Sequence, residues 1–159
     1  MPLLSRLIYG LVSFAARKGL AEQGEPAATD SAKETALRAR RTGVRGETYA
    51  YWYLRRHGYI FIARNYMVPG VKGEIDLIGY DGPVLAFVEV KTRSTSSDTP
   101  PLTKPEDAVT HEKRRNLSRM ASHFLRDRHL PEANCRFDVL AIESHPGQRP
   151  VVRLHKAAF

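Results

Sequence analysis

A single cysteine, Cys135, stands in 159 residues, so no disulfide can form within the chain. That fits a reducing, cytoplasmic setting. Cys135 opens an apolar run and reads as a small core hydrophobe. The six histidines never fall at H-E-x-x-H or another zinc-ligand spacing, so no zinc site is expected. Long apolar runs are missing too: nothing reaches the ~18 consecutive residues of a membrane span. The most apolar stretch, residues 3–16, is interrupted by Arg6. It has no basic segment before it and no A-x-A-like site after it, which argues against a secretory signal. No internal repeat is present.

Acidic residues are the scarce charge. There are 17 Asp and Glu against 25 Lys and Arg, a net +8. A basic surplus favours an anionic partner, most commonly nucleic acid. The surplus is uneven: residues 1–45 carry eight Lys and Arg and four Asp and Glu, which is half of the excess. Otherwise the composition, 42% hydrophobic and 26% charged, is that of an ordinary globular chain. Its length suits one compact domain with some chain to spare.

Three regions are expected. Residues 1–20 hold Leu3, Leu4, Leu7, Ile8, Leu11, Val12 and Ala15 at helical spacing. This amphipathic segment fits either a helix that docks on a membrane surface or protein partner or an appendage packed on the domain. Residues 21–43 are rich in Ala, Glu, Thr and Arg without an apolar period and read as a flexible linker. Residues 44–159 form the globular domain. There the pattern predicts a helix over 47–57 ending at Gly58, strands over 59–66, 74–80 and 84–92, and a helix over 106–129. A strand over 135–143 and an edge strand over 151–155 follow. Asp81-Gly82 marks a hairpin between the second and third strands. Residues 94–105, rich in Ser, Thr and Pro, form a loop. The expected fold is therefore α/β, with an αβββαβ order and a mixed central sheet flanked by helices.

Charged residues inside apolar strands demand an explanation, because burying an unpaired charge is costly. Asp76 lies between Ile75 and Leu77, and Glu89 and Lys91 flank Val90. Strand side chains alternate, so Glu89 and Lys91 share a face. Counting back from the hairpin places Asp76 beside Phe87, within two residues of Glu89. Two carboxylates that close repel each other, and a hard divalent cation relieves the repulsion. A cation so held activates water and clamps phosphate, and a neighbouring lysine offsets charge in the transition state. A solvent-facing cross-strand salt bridge is the bland alternative. It leaves the apolar neighbours and the third charged residue without a reason.

Several blocks together carry a resemblance: Gly46-Glu47 with Ala50, Tyr53-Leu54 and Gly58-Tyr59; Arg64-Asn65; Gly73-Glu74-Ile75-Asp76-Leu77-Ile78; Phe87-Val88-Glu89-Val90-Lys91 with Arg93; Ala108-Val109 with Lys113; and Arg136-Phe137-Asp138-Val139. In this order, over residues 44–143, they resemble the YraN-type bacterial family. That family is similar in turn to the restriction-endonuclease-like, PD-(D/E)XK, superfamily and above all to archaeal Holliday-junction resolvases. The resemblance implies catalytic roles for Glu47, Asp76, Glu89 and Lys91, with Asp76 and Glu89 as ligands of Mg²⁺ or Mn²⁺. Ile75 departs from the Pro that the superfamily often has there, and residues 1–43 have no counterpart.

The leading expectation is a metal-dependent endonuclease cutting DNA, with some preference for branched or distorted structures implied by the resolvase likeness. A chain this small covers little duplex, so a homodimer presenting two sites is one arrangement such a preference would take. Arg64, Arg93, Lys113, Arg114, Arg115 and Arg119 are expected to contact nucleic-acid phosphates. Asp138 beside Arg136 reads as half of a structural ion pair. The rival expectation is a non-catalytic nucleic-acid-binding module that keeps the nuclease fold.

Overall fold

The computed structural model describes residues 32–94, 109–145 and 148–159. Helix α1 spans Ala32–Arg56. Strands β1 (Ile60–Tyr66), β2 (Ile75–Asp81) and β3 (Val84–Ser94) follow, then helix α2 (His111–Asp127). A 3₁₀ turn (Glu132–Asn134) leads into β4 (Cys135–Ser144) and β5 (Val151–His155). The five strands form one sheet in the order β1-β2-β3-β4-β5. The β3–β4 pair is parallel and the other three are antiparallel. Parallel neighbours need a crossover, and α2 supplies it. The mixed sheet between helices is the architecture expected from the sequence.

Helix α1 differs from that expectation at its start. It begins at Ala32, so residues 32–43 are helical and not linker. The stretch is rich in Ala and Arg, which favour helix even where no apolar period marks one. The amphipathic pattern in residues 1–20 lies outside the described residues. At its other end α1 stops where Gly58 adopts φ 95°, a left-handed conformation that glycine takes at little cost. The Tyr59 N–H then donates to the Leu54 carbonyl at 3.1 Å. Helix α2 begins at His111 and not at 106. Thr110 caps it, its hydroxyl accepting the Lys113 N–H at 3.2 Å.

Each face of the sheet has its own core. Leu117, Met120, Phe124 and Leu125 of α2 cover Ile78, Leu85, Phe87 and Val139. On the other face Tyr49, Ala50 and Leu54 of α1 cover Leu77, Ala86, Val88, Leu140 and Ile142. Burial on both faces explains why β3 and β4 read as nearly continuous apolar runs. Gly46 lets α1 approach the sheet: a Cβ there would stand 1.8 Å from Thr92 Oγ1. Half-buried Cys135 packs against the α2-side core.

A second polar cluster tightens the strand ends near the hairpin. Asp138 is fully buried. It accepts from Arg136 Nε at 2.8 Å, Tyr59 Oη at 3.0 Å and the Ala157 N–H at 3.0 Å. Arg136 also reaches Asp81, which Lys156 contacts in turn. Burial and the Asp138 charge hold the Tyr59 hydroxyl well above its ordinary pKa. Asp138 is thus half of an ion pair with Arg136, and its carboxylate is engaged by structural partners.

Candidate active site

The hairpin fixes the site. Its two-residue loop pairs Asp81 with Val84 and, further along, Leu77 with Val88. One step beyond, Asp76 falls opposite Glu89, not beside Phe87 as the sequence count had it. Ile78 and Phe87, paired to each other, point into the α2-side core. With period-two alternation, Asp76, Glu89 and Lys91 project on that same side, at the edge of the core where α2 begins.

Both carboxylates are buried: Asp76 is 7% exposed and Glu89 3%. Asp76 Oδ2 accepts the Val90 N–H at 2.6 Å. Glu89 Oε1 receives Lys91 Nζ at 3.0 Å and also contacts Lys113 Nζ. The other oxygen, Glu89 Oε2, is buried and has no hydrogen-bond partner among the described residues. Burial, and then the Glu89 charge, push the Asp76 carboxyl up to about 7; the Val90 N–H and Lys113 oppose the rise, and Glu47 adds to it. Burial works against the charge of Lys113, but Glu89 and Asp76 overcome it and hold its pKa above the ordinary lysine value.

Glu47 comes from the opposite side of the sheet, on α1. Its Oε2 accepts from Asn65 Nδ2 at 3.3 Å, and its charge is felt at Asp76. Among the described residues no three His, Cys, Asp or Glu side chains lie close enough together to hold a metal ion. Any cation here would therefore take Asp76 and Glu89 as its carboxylates, with Glu47 farther out. The pair fits a hard divalent cation: two buried carboxylates on adjacent strands, one with an oxygen that no described residue satisfies. Magnesium usually takes only one or two carboxylates and keeps water and phosphate oxygens for its remaining positions.

The basic residues do not gather in one place. Lys113 lies within the carboxylate site, its ammonium on Glu89 Oε1. Arg114 donates to the Val109 carbonyl at 3.1 Å and lies over the Phe159 ring. Arg64 stacks on Tyr51, its guanidinium 4.7 Å from the ring centroid. Arg93 is exposed near the end of β3, and Arg115 and Arg119 are exposed on α2. Arg119 and Arg126 help line a groove of about 680 Å³ against Val68 and Val71. One wall is α2, which begins at the site, and the other is the β1–β2 loop, which runs into Asp76.

Residues 46–142 match the family model described as "Uncharacterised protein family UPF0102". The chain belongs to this family. A UPF0102 protein of Koribacter versatilis is 41% identical over 120 residues, covering 75% of this chain and 79% of the relative. One from Symbiobacterium thermophilum is 45% identical over 121 residues, covering 76% and 98%. One from Geobacter metallireducens is 39% identical over 117 residues, covering 74% and 90%. The YraN-type resemblance is thereby established. The matched segment contains Glu47, Asp76, Glu89, Lys91 and Lys113, so the candidate site lies within it and not in residues 1–45.

Two contacts of the site are not legible in the sequence. Asn65 belongs to the Arg64-Asn65 motif, but its hydrogen bond to Glu47 and its left-handed backbone at φ 48° carry no local signal. Nothing local to Lys113 says that it meets Glu89. Among the described residues no helix is long and apolar enough to cross a membrane.

Proposed function

We propose that the chain is a Mg²⁺- or Mn²⁺-dependent endonuclease that hydrolyses DNA phosphodiester bonds. The observation that carries this reading is the buried, neighbouring pair Asp76 and Glu89, with Glu89 Oε2 unpartnered among the described residues and Lys91 on Glu89 Oε1. A structural salt bridge would leave neither a second buried carboxylate nor an unsatisfied buried oxygen.

Asp76 and Glu89 would hold the cation, which supplies Lewis acidity to water and phosphate. The Val90 N–H keeps the Asp76 carboxylate aimed at its neighbour. Lys91, 33% exposed, sets its ammonium at the mouth of the site. There it orients the attacking water and offsets the negative charge that grows on the phosphate oxygens. Glu47, steered by Asn65, adds a further negative charge that favours a divalent over a monovalent cation. The groove walled by Arg119 and Arg126 gives the DNA backbone a cationic path away from the carboxylates.

The test is a substrate panel. Single-stranded, duplex, flap and four-way-junction DNA are incubated with purified protein, with Mg²⁺, with Mn²⁺ and with chelator. Endonucleolytic cuts that require metal are expected, with branched substrates preferred in keeping with the resolvase likeness. Metal-independent DNA binding without any cleavage on all four substrates would favour the binding-module reading.

A further inference from the structure

Lys91 and Lys113 crowd the same oxygen, Glu89 Oε1, while Glu89 Oε2 goes without a partner among the described residues. The charges of Asp76, Glu89, Lys91 and Lys113 sum to zero. Two buried carboxylates this close cannot both stay ionised without a cation, and among the described residues the two ammonium groups are the cations that contact Glu89. A divalent ion entering the same space would meet both at short range. One ammonium must then give way.

The two lysines are not equivalent. Lys91 lies two residues along the same strand from Glu89, so its backbone is fixed next to the carboxylates. Lys113 reaches across from the first turn of α2, which the Thr110 cap holds in place. Its side chain is 35% exposed, about as much as that of Lys91 at 33%. What separates the two is the element each comes from: Lys113 can swing away with its stem while Lys91 stays on the strand that carries Glu89. A lysine suits an exchangeable position: it is a compact charge on a flexible stem, without the fixed two-pronged geometry of arginine.

The geometry points to Lys113 as a cation placeholder: its ammonium neutralises Asp76 and Glu89 in the metal-free protein, yields its place when a divalent cation binds, and then turns to a substrate phosphate. This assignment rests on the metal-site reading above. It makes the empty site foldable and couples metal loading to the appearance of a free cation beside the cleavage point. It separates the two lysines as well, Lys91 serving the chemistry and Lys113 the exchange.

Mn²⁺ binding to the full chain is measured by calorimetry without DNA, for the unaltered protein, Lys113→Met and Lys91→Met. Lys113→Met is expected to tighten Mn²⁺ binding by roughly tenfold, a typical coupling between two ligands of one site. Its metal-free form should melt lower, with the difference closing at saturating Mn²⁺. Lys91→Met should change Mn²⁺ affinity less. A second measurement avoids substitution: acetylation of the Lys113 amine, followed by mass spectrometry of the unaltered protein, should quicken when Mn²⁺ is added. If the unaltered protein binds no Mn²⁺ at millimolar concentration, the metal-site reading itself fails. If it binds Mn²⁺ but Lys113→Met binds no more tightly, or the Lys113 amine reacts no faster with metal, the metal site stands and the placeholder role is overturned.

Discussion

Replacing Asp76 by Asn should stabilise the metal-free protein at alkaline pH. The carboxyl is 7% exposed and faces Glu89, and burial with the Glu89 charge raises its pKa from 3.8 to about 7. The folded value lies above the unfolded one. Protonation of Asp76 therefore favours folding, fully so below pH ~4, and this contribution is lost as pH rises to ~7. A shift of about three units corresponds to a ceiling of ~4 kcal/mol. The amide oxygen of Asn still accepts the Val90 N–H, whose preference for the charged carboxylate is already contained in that shift. With relaxation of the site taken to halve the ceiling, a net gain of ~2 kcal/mol is expected. For a domain of this size that corresponds to a rise of about 4–8 °C in Tm. The assay is thermal melting in EDTA at pH 4, 6 and 8, followed by circular dichroism. The gap between variant and unaltered protein should open with rising pH. Excess Mn²⁺ should reverse the order at pH 8, since only the unaltered protein retains both ligands. An Asn variant that melts below the unaltered protein at pH 8 in EDTA would refute the reasoning.

Three other outcomes are expected. Lys91→Ala should slow single-turnover cleavage by about 10²–10³-fold while changing DNA affinity little; equal losses in rate and affinity would make Lys91 a binding residue. Arg115→Ala combined with Arg119→Ala should flatten the slope of log K against log salt on duplex DNA by about 1.8, the value for two phosphate contacts. An unchanged slope would move the DNA path off this face of α2. Arg136→Met should leave the buried Asp138 without its cation and cost about 3–5 kcal/mol in denaturant unfolding, with no specific effect on Mn²⁺ affinity, because Asp138 projects on the α1 side of the sheet and the carboxylates on the α2 side.

The strands were readable because each announces itself twice, by its apolar run and by the turn residues that bound it. The Asp81-Gly82 signal gave the antiparallel β2–β3 pair, and with it the meeting of Asp76 and Glu89. Their register was misjudged, because the sequence does not state where a hairpin begins to pair; here Asp81 already pairs with Val84. The start of α1 escaped notice because periodicity detects a helix only by its apolar stripe. Residues 32–43 carry helix-favouring composition without one. The site contacts of Lys113, expected from the sequence only as a phosphate contact, and of Asn65 escaped for a different reason. They join residues far apart in the chain, Lys113 to Glu89 through the parallel crossover and Asn65 to Glu47 through the sheet edge. Such contacts exist only once the topology is set. The same holds for Arg114: sequence grouped it with Lys113, yet adjacent residues on a helix point in different directions, and it turns to Val109 and Phe159.

The central claim is that Asp76 and Glu89 hold a divalent cation for phosphodiester hydrolysis. Single-turnover cleavage of the best substrate in Mg²⁺ or Mn²⁺, compared between the unaltered protein and Glu89→Gln purified in parallel, tests it most directly. Glu89→Gln keeps the shape of the side chain and removes the charge that the cation needs. The account predicts metal-dependent cleavage by the unaltered protein and a loss of about 10³-fold or more in the variant, with DNA binding retained. Cleavage at equal rates by both proteins would contradict it.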